Sequence, residues 1–228
     1  AYALANNTTA GFNTAVGSSA MFLNTTGTGN AALGYQSLYE NTTGNDNTSI
    51  GSIAMRNNTT GIRNTAVGRQ ALNSNTTGSF NTAIGQASLN SNTTGGKNTA
   101  IGSGSFQQNT TGGNNVAMGY LALNNNNGNN NTVIGHEAAQ LGTAQGNIVA
   151  VGAGALRNNT ASSNTAVGYL SSHSNTTGSS NTAVGQQAAQ NNTTGANNVA
   201  MGFASLLSNI SGSSNVSIGS EALRSNTT

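Results

Sequence analysis

The stretch Asn64-Thr65-Ala66-Val67-Gly68-Arg69-Gln70-Ala71-Leu72-Asn73-Ser74-Asn75-Thr76-Thr77-Gly78-Ser79-Phe80 is one copy of a unit that fills the whole sequence. The next residues, Asn81-Thr82-Ala83-Ile84-Gly85, begin the unit again after 17 residues. We number the positions of the unit from 1 (Asn64) to 17 (Phe80). Such strict repetition is typical of solenoids, in which each unit buries its apolar face only by stacking on its neighbours.

A glycine at position 5 marks each repeat, and we expect it at a bend that needs a positive φ or a close backbone approach. Of the twelve intervals between these glycines, ten are 17 residues long and two are 16. Each short interval loses its residue in the polar turn, at 124–128 or at 159–163, where a solenoid tolerates a deletion. The structural turn glycines are Gly17, Gly34, Gly51, Gly68, Gly85, Gly102, Gly119, Gly135, Gly152, Gly168, Gly185, Gly202 and Gly219.

The composition excludes several classes of function. Charged residues make up 4% of the chain, against about 25% in an ordinary globular protein. The six basic residues are scattered and the net charge is +2, so we expect no nucleic-acid partner. No apolar run approaches the roughly 18 residues that a membrane helix needs, so we expect no membrane span in this segment.

Chemistry-bearing residues are too few to indicate an enzyme. The only histidines are His136 and His173, and the only acids are Glu40, Asp46, Glu137 and Glu221. On a strand the neighbours His136 and Glu137 would point apart, which is typical of solvent-exposed variation. Gly95-Gly96-Lys97 lacks the spacing of a phosphate loop. We therefore predict no catalytic residues, no metal site and no cofactor.

The repeat predicts an all-β fold, a parallel β-solenoid of about thirteen coils with two short strands per coil. Positions 2–4 (Thr-Ala-Val) predict one strand and positions 8–9 (Ala-Leu) a second. Positions 12–15 (Asn-Thr-Thr-Gly) predict a turn whose glycine takes a positive φ. Residues 1–228 then form a single continuous repeat region, uncapped at both ends, and we expect a segment of a longer fibre. Helix is disfavoured even at Glu137-Ala138-Ala139-Gln140, because glycine and turn residues interrupt every few positions.

Asparagines recur at positions 1 and 12, and we expect their side chains to stack as hydrogen-bonded ladders along the coils. Adjacent apolar residues, Ala66-Val67 and Ala71-Leu72, place apolar groups on both faces of a strand. One face fills the coil, and the other would leave an apolar stripe larger than monomers usually expose. We therefore expect self-association, as a homotrimer or an end-to-end filament. The alternative is a monomer in which small alanines face outward.

The position-12 asparagines also begin Asn-X-Ser/Thr sequons. One interpretation is a column of glycans along the coils. The other is that Asn-Thr-Thr-Gly is good turn chemistry that creates sequons by accident. The candidate N-glycosylation sites are Asn7, Asn24, Asn41, Asn58, Asn75, Asn92, Asn109, Asn175, Asn192, Asn209 and Asn226.

The motif Asn13-Thr14-Ala15-Val16-Gly17 and its copies resemble the head repeats of trimeric autotransporter adhesins (YadA-like heads). They also resemble the Asn-Thr-Ala-Ile-Gly repeats of bacterial and phage tail-fibre-like proteins. The resemblance covers the whole chain and implies a left-handed β-roll, three chains around one axis, position 4 (Val67, Ile84) as core, and adhesion outside the cell. YadA-like head repeats are typically shorter than this one, and the Asn-Thr-Thr-Gly turn is the added part.

The sequence therefore predicts a structural or adhesive extracellular fibre segment, a stiff repetitive rod at a cell surface or on a virion, assembled with copies of itself. A host-surface or glycan ligand is consistent with that function, but no residue identifies it. The alternative function is an ice- or carbohydrate-binding solenoid that uses the Asn/Thr ladders as its ligand surface.

Overall fold

The computed structural model describes residues 2–143 and 145–228 and is all-β. Its chain divides into two compact units, Ala1–Asn114 and Asn115–Thr228. Across the described residues there is no helix, including the segment at Glu137 where helix was the competing interpretation. The predicted parallel β-solenoid is confirmed.

Each coil contributes one three-residue strand, at positions 2–4 of the repeat. The first unit has β1 (Thr14–Val16), β2 (Ala31–Leu33), β3 (Thr48–Ile50), β4 (Thr65–Val67), β5 (Thr82–Ile84) and β6 (Thr99–Ile101). The second has β7 (Val116–Met118), β8 (Thr132–Ile134), β9 (Val149–Val151), β10 (Thr165–Val167), β11 (Thr182–Val184), β12 (Val199–Met201) and β13 (Val216–Ile218). Within each unit, every strand pairs in parallel with the strand of the next coil.

The register of the strands keeps equivalent positions side by side. Thr65, Ala66 and Val67 pair with Thr82, Ala83 and Ile84. The middle residue of the strand points into the coil and is buried, as Ala66 is. Alanine or serine holds this position in every coil except one, where Val133 is equally buried.

The expectation that position 4 forms the core is wrong. Val67 is only half-buried and Ile84 keeps 38% of its surface exposed, because both lie on the outward face of the strand. Residues at positions 3, 8 and 9 fill the interior instead, as Ala66, Ala71 and Leu72 do. The sequence could not distinguish these alternatives, because both neighbours in each pair are apolar.

The second strand expected at positions 8 and 9 is not formed. Those positions lie in a run of turns, and Leu72 has a φ of +51° in the left-handed region. The turns still stack by main-chain bonds, since Leu72 N donates to Ser88 O at 2.9 Å. The change of backbone direction at position 9 lets Ala71 and Leu72 both point inward, although they are neighbours. Of the two adjacent apolar pairs, Ala66-Val67 and Ala71-Leu72, only the position-4 residue therefore remains outside the coil.

The two 16-residue coils lose their residue in the turn, as predicted. Beyond the shortened turns the strands stay in register, with Val116 opposite Thr132 and Val149 opposite Thr165. A turn that faces away from the sheet absorbs the deletion without disturbing the ladder of main-chain bonds.

The turn glycines serve two different geometries. At position 5, Gly68 has a φ of +132°, and a Cβ there would lie 2.7 Å from the carbonyl oxygen of Gly85. Both predicted reasons for this glycine are therefore confirmed. At position 15, however, Gly78 does not have the positive φ that we expected. Its Cβ would instead lie 2.8 Å from the Asn92 amide nitrogen, so close packing against the asparagines excludes a side chain there.

Candidate functional site

The predicted asparagine ladders form, and they lie inside the coil. At position 12, Asn75 Nδ2 donates to Asn58 Oδ1 at 2.8 Å, and Asn92 Nδ2 donates to Asn75 Oδ1 at 2.8 Å. Asn75 is completely buried. An amide has both donors and acceptors, so each side chain satisfies one neighbour above and one below.

The position-1 asparagines bond to the main chain as well as to one another, since Asn64 Nδ2 also donates to Asn47 Oδ1 at 3.2 Å. Asn81 N donates to Asn64 Oδ1 at 2.9 Å, and Asn64 Nδ2 donates to Gly78 O at 2.9 Å. Gly78 O also accepts from Asn75 Nδ2 at 2.9 Å. The two lone pairs of one carbonyl thus hold asparagines from positions 1 and 12 of the same coil. This arrangement closes each coil at its turn, and we call it the amide clasp.

All the position-12 ladder bonds of the first unit run in one direction. In each, the amide nitrogen donates to the asparagine of the preceding coil, from Asn24 through Asn109. The same direction holds in the second unit from Asn175 to Asn226.

The second unit interrupts both ladders at one turn and restores one of them. Position 12 is Gly142, and position 1 of the following coil is the buried Ile148. The side chain of Gln145, from the position usually held by glycine, enters the space beside Gly142. It accepts from Asn126 Nδ2 and donates to the carbonyl oxygen of Asn159. A longer amide therefore replaces the missing asparagine, with its donor directed to the following coil.

The ladder geometry conflicts with the interpretation of the sequons as glycan sites. In the coil of Asn75, the amide nitrogen that would carry a glycan is buried and donates to two oxygens. A glycan would remove one of these hydrogens and needs an open path to solvent. Buried in the same way are Asn24, Asn41, Asn58, Asn75, Asn92, Asn109, Asn175, Asn192 and Asn209, while Asn7 and Asn226 are half-buried. The alternative, that the sequons are turn chemistry, fits the fold.

The outward face of the sheet carries two columns of side chains, at positions 2 and 4. The position-4 column is apolar throughout: Val16, Leu33, Ile50, Val67, Ile84 and Ile101 in the first unit, and Met118, Ile134, Val151, Val167, Val184, Met201 and Ile218 in the second. Leu33 keeps 49% of its surface exposed and Ile134 keeps 39%. The position-2 column consists mainly of threonine, with alanine or valine in five coils. We call these two columns the outward sheet face.

Exposed aromatic rings lie just beyond this face, at position 6. Tyr35 and Phe203 are examples, and Tyr120 and Tyr169 occupy the same position in other coils. Arg69, at position 6 of its coil, is exposed as well.

The charged side chains form four ion pairs among the described residues, three between adjacent coils and one within a coil. Arg56 contacts Glu40 at 3.3 Å, Arg63 contacts Asp46 at 3.7 Å, and Arg224 contacts Glu221 at 2.8 Å. These pairs are largely exposed and each is worth little to stability. The fourth pair, Arg157 and Glu137 at 3.0 Å, is less exposed and borders a cavity.

That cavity, of about 310 Å³, lies within the second unit. His136, Glu137, Arg157, Tyr169 and His173 line it. The chain's only two histidines are therefore brought together, although the sequence indicated only unrelated surface variation. Burial first, and the Arg157 charge second, lower the pKa of His173 below its usual 6.5, while Glu137 acts in the opposite direction. His173 is thus held neutral at pH 7.

The sequence carried a usable signal for this cluster. When the repeats are aligned by position, His136 is at position 6 and His173 is at position 10 two coils later. In the coil between them, Gly154 replaces the usual side chain at position 7. Adjacent coils bring these columns together, which inspection of linear neighbours does not reveal.

No family model, no curated protein and no solved structure matches this chain. Within the described residues, no group of three or more histidine, cysteine or acidic side chains could hold a metal ion. The same residues contain no helix of the length and apolar character needed to cross a membrane.

Proposed function

We propose that this chain is a segment of an extracellular structural or adhesive fibre and that it assembles with copies of itself. The observation that carries the proposal is the outward sheet face, with an apolar side chain at position 4 of every coil. Such a column is unusual on a monomer, because exposed apolar patches of soluble proteins rarely exceed a few hundred Å².

A second copy of the chain fits this face better than an unrelated partner. Residues at positions 2 and 4 repeat at the spacing of paired strands, about 4.8 Å. Only a surface with the same spacing can meet every coil in an equivalent way, and another copy provides it. A homotrimer in particular is supported by the resemblance to YadA-like heads, and so is a location at a cell surface or on a virion.

The low charge of the chain also favours a structural role. All four acidic residues are in ion pairs with arginines. With so few charges, the chain exerts little long-range electrostatic attraction on a charged partner. Stacked main-chain bonds and buried amides give each coil a rigid frame, which suits a passive, load-bearing segment.

Sedimentation and light scattering of the purified chain test this proposal. We expect a mass that is a multiple of 22.6 kDa, with three copies as the specific expectation. The variant Ile50→Lys/Ile84→Lys places two cations on the outward sheet face, two coils apart. Both side chains are exposed in the single chain, at 39% and 38%, so the fold accepts the change while association is lost.

The matched control is Thr77→Lys, because Thr77 is exposed but lies in the turn, away from the sheet. It should associate like the unmodified chain. A monomer of 22.6 kDa at concentrations of about 100 μM would contradict the proposal, and so would association that survives the double lysine variant unchanged.

The alternative, an ice- or carbohydrate-binding surface, keeps one supporting observation. Thr48, Thr65, Thr82 and Thr99 form an uninterrupted outward column on β3 to β6. The asparagine ladders contribute nothing to such a surface, because they are buried. Thermal hysteresis that disappears in Thr65→Lys/Thr82→Lys would support this function, and an unaltered freezing point of the native chain's solution would remove its ice-binding form.

A further inference from the structure

The cavity beside His136 and His173 is lined by a glycine at position 7, where most coils carry a side chain. Gly154 holds that position, between Glu137 in the preceding coil and Leu170 in the next. A Cβ at Gly154 would lie 2.7 Å from Leu170 Cδ2 and 3.4 Å from His173 Cδ2. The other coils of the second unit carry leucine, glutamate, glutamine or alanine at position 7. The gap is therefore a local departure from the repeat.

Arg157 supplies unused hydrogen-bond donors to the cavity. Its Nε lies 3.0 Å from Glu137 Oε2 and donates to Gln140 Oε1 at 3.1 Å. Among the described residues, no hydrogen bond involves its two terminal amino groups. The guanidinium is thus oriented at one edge and keeps donors free at the other.

The two imidazoles and a tyrosine complete the lining. The His136 ring stacks on Tyr120 with a centroid distance of 5.3 Å, which holds it at the rim. His173 is neutral at pH 7, as described above, so its ring offers one N–H and one lone pair. The Tyr169 ring is 54% exposed and presents an apolar face beside these polar groups.

From this lining, we infer that the cavity binds a neutral saccharide unit, with the Arg157 and Glu137 head groups on vicinal hydroxyls and the Tyr169 ring against the C–H face of the sugar. A hydroxyl both donates and accepts, which matches an ion pair and the neutral His173 imidazole. The charges of Arg157 and Glu137 cancel, so an anion gains little. A purely apolar ligand would leave these polar groups without partners.

The size and location of the cavity agree with a small ligand. Its volume of about 310 Å³ is at the lower end of typical ligand sites. Two of its three coils depart from the repeat: one carries Gly142 at position 12, and the next carries Gly154 and has a 16-residue interval. In a repeat protein the regular coils show what folding requires, and departures from them are expected at functional sites. The site is complete on one chain and does not depend on the self-association proposed above.

The repeat itself provides conservative variants to test the site. Gly154→Gln fills the cavity with a glutamine side chain. Glutamine suits this position, because Gln187 holds position 7 of another coil in the second unit with a φ of +59°. Arg157→Gln introduces glutamine, which already occurs at position 10 in two other coils of the second unit, as Gln140 and Gln190. Gly104→Gln is the matched control, since Gly104 holds position 7 in the first unit with a φ of +64°.

Nuclear magnetic resonance of the two histidine rings reports binding directly, because the chain has two histidines and each gives one signal. The probes are the methyl glycosides of glucose, galactose, mannose and N-acetylglucosamine, at about 10 mM, with methyl glucuronide as the acidic comparison. We expect at least one neutral glycoside to shift both signals. That response should weaken at least about tenfold in Gly154→Gln and Arg157→Gln and persist in Gly104→Gln.

Three results would overturn the inference. The first is that no neutral glycoside shifts either histidine signal. The second is that the glucuronide alone binds, which identifies an anion site. The third is that Gly154→Gln binds as well as the unmodified chain.

Discussion

Replacing Asn75 by alanine tests whether the buried amides hold the coils together. The change removes three hydrogen bonds: Asn75 Nδ2 to Asn58 Oδ1 at 2.8 Å, Asn75 Nδ2 to Gly78 O at 2.9 Å, and Asn92 Nδ2 to Asn75 Oδ1 at 2.8 Å. Gly78 O keeps its bond from position 1, but Asn58 Oδ1 and one N–H of Asn92 lose their partners. Each orphaned buried group costs about 1–3 kcal/mol, so the two groups together predict a loss of about 2–6 kcal/mol in the free energy of unfolding.

Urea unfolding followed by far-ultraviolet circular dichroism measures this loss. Repeat proteins can unfold in sections, so both the midpoint and the slope of the transition have to be fitted. The control is Thr77→Ala in the same turn, where the side chain is exposed and the change should stay within about 0.5 kcal/mol.

The variant Asn75→Asp separates hydrogen bonding from packing. It keeps the shape but places an acceptor opposite Asn58 Oδ1 and Gly78 O, so at pH 7 it should destabilise more than Asn75→Ala. Burial raises the pKa of such a carboxyl, and the protonated form regains one donor. The deficit of the aspartate variant should therefore shrink as the pH falls. Two results at pH 7 would refute the role assigned to the ladder. One is an alanine variant as stable as the control, and the other is an aspartate variant more stable than the alanine variant.

Four further predictions concern other parts of the coil. Gly68→Ala should lower the free energy of unfolding by about 2–4 kcal/mol in the same urea assay, because its φ is +132° and the next coil's carbonyl is in contact; Gly11→Ala, with no atom within 4 Å of the new Cβ, should be near neutral. Gln145→Ala should cost about 2–4 kcal/mol, since it leaves a buried amide donor and a carbonyl oxygen unpaired; an unchanged midpoint would show that the side chain does not replace the missing ladder residue. The pKa of His173, followed by its ring signals, should fall below 6.5. Because folding lowers this pKa, the unfolded chain binds the proton more readily than the folded chain. The contribution of His173 to the free energy of unfolding is therefore complete above pH 6.5 and decreases as the pH falls below it. In a glycosylating host the buried sequons should stay unmodified, so the mass should remain 22.6 kDa apart from any glycan on the half-buried Asn7 and Asn226, and a glycan mapped to a buried sequon would contradict the ladder geometry.

Periodicity predicted the features of the fold that depend on one residue type at one position. The position-5 glycines, the asparagine ladders and the shortened turns follow from counting, because each position has one structural requirement repeated in every coil. The strand at positions 2–4 follows from the β-branched residue beside a glycine bend.

The errors came from backbone geometry that residue preferences do not encode. Leu72 at a φ of +51° is unfavourable for an isolated leucine, so Ala71-Leu72 appeared to be a strand. Stacked neighbours impose that conformation, and it turns both residues inward. The choice of Ala66 over Val67 for the interior depends on the width of the coil, which no local pattern reports.

The candidate site was missed for a related reason. His136 and His173 are two coils apart along the sequence but share a cavity, and Gly154 between them was not a position-5 or position-15 glycine. Only a comparison of corresponding positions between coils shows that a side chain is missing there.

The uniform orientation of the position-12 amides in the first unit gives the coil stack a polarity. Each bond polarises the next in the same direction along the stack. One end of the ladder therefore presents N–H groups and the other end presents oxygens. A coil added above or below completes the pattern only if it runs in the same direction, because an inverted coil would oppose donor to donor. A fibre built by such stacking would therefore have two chemically distinct ends.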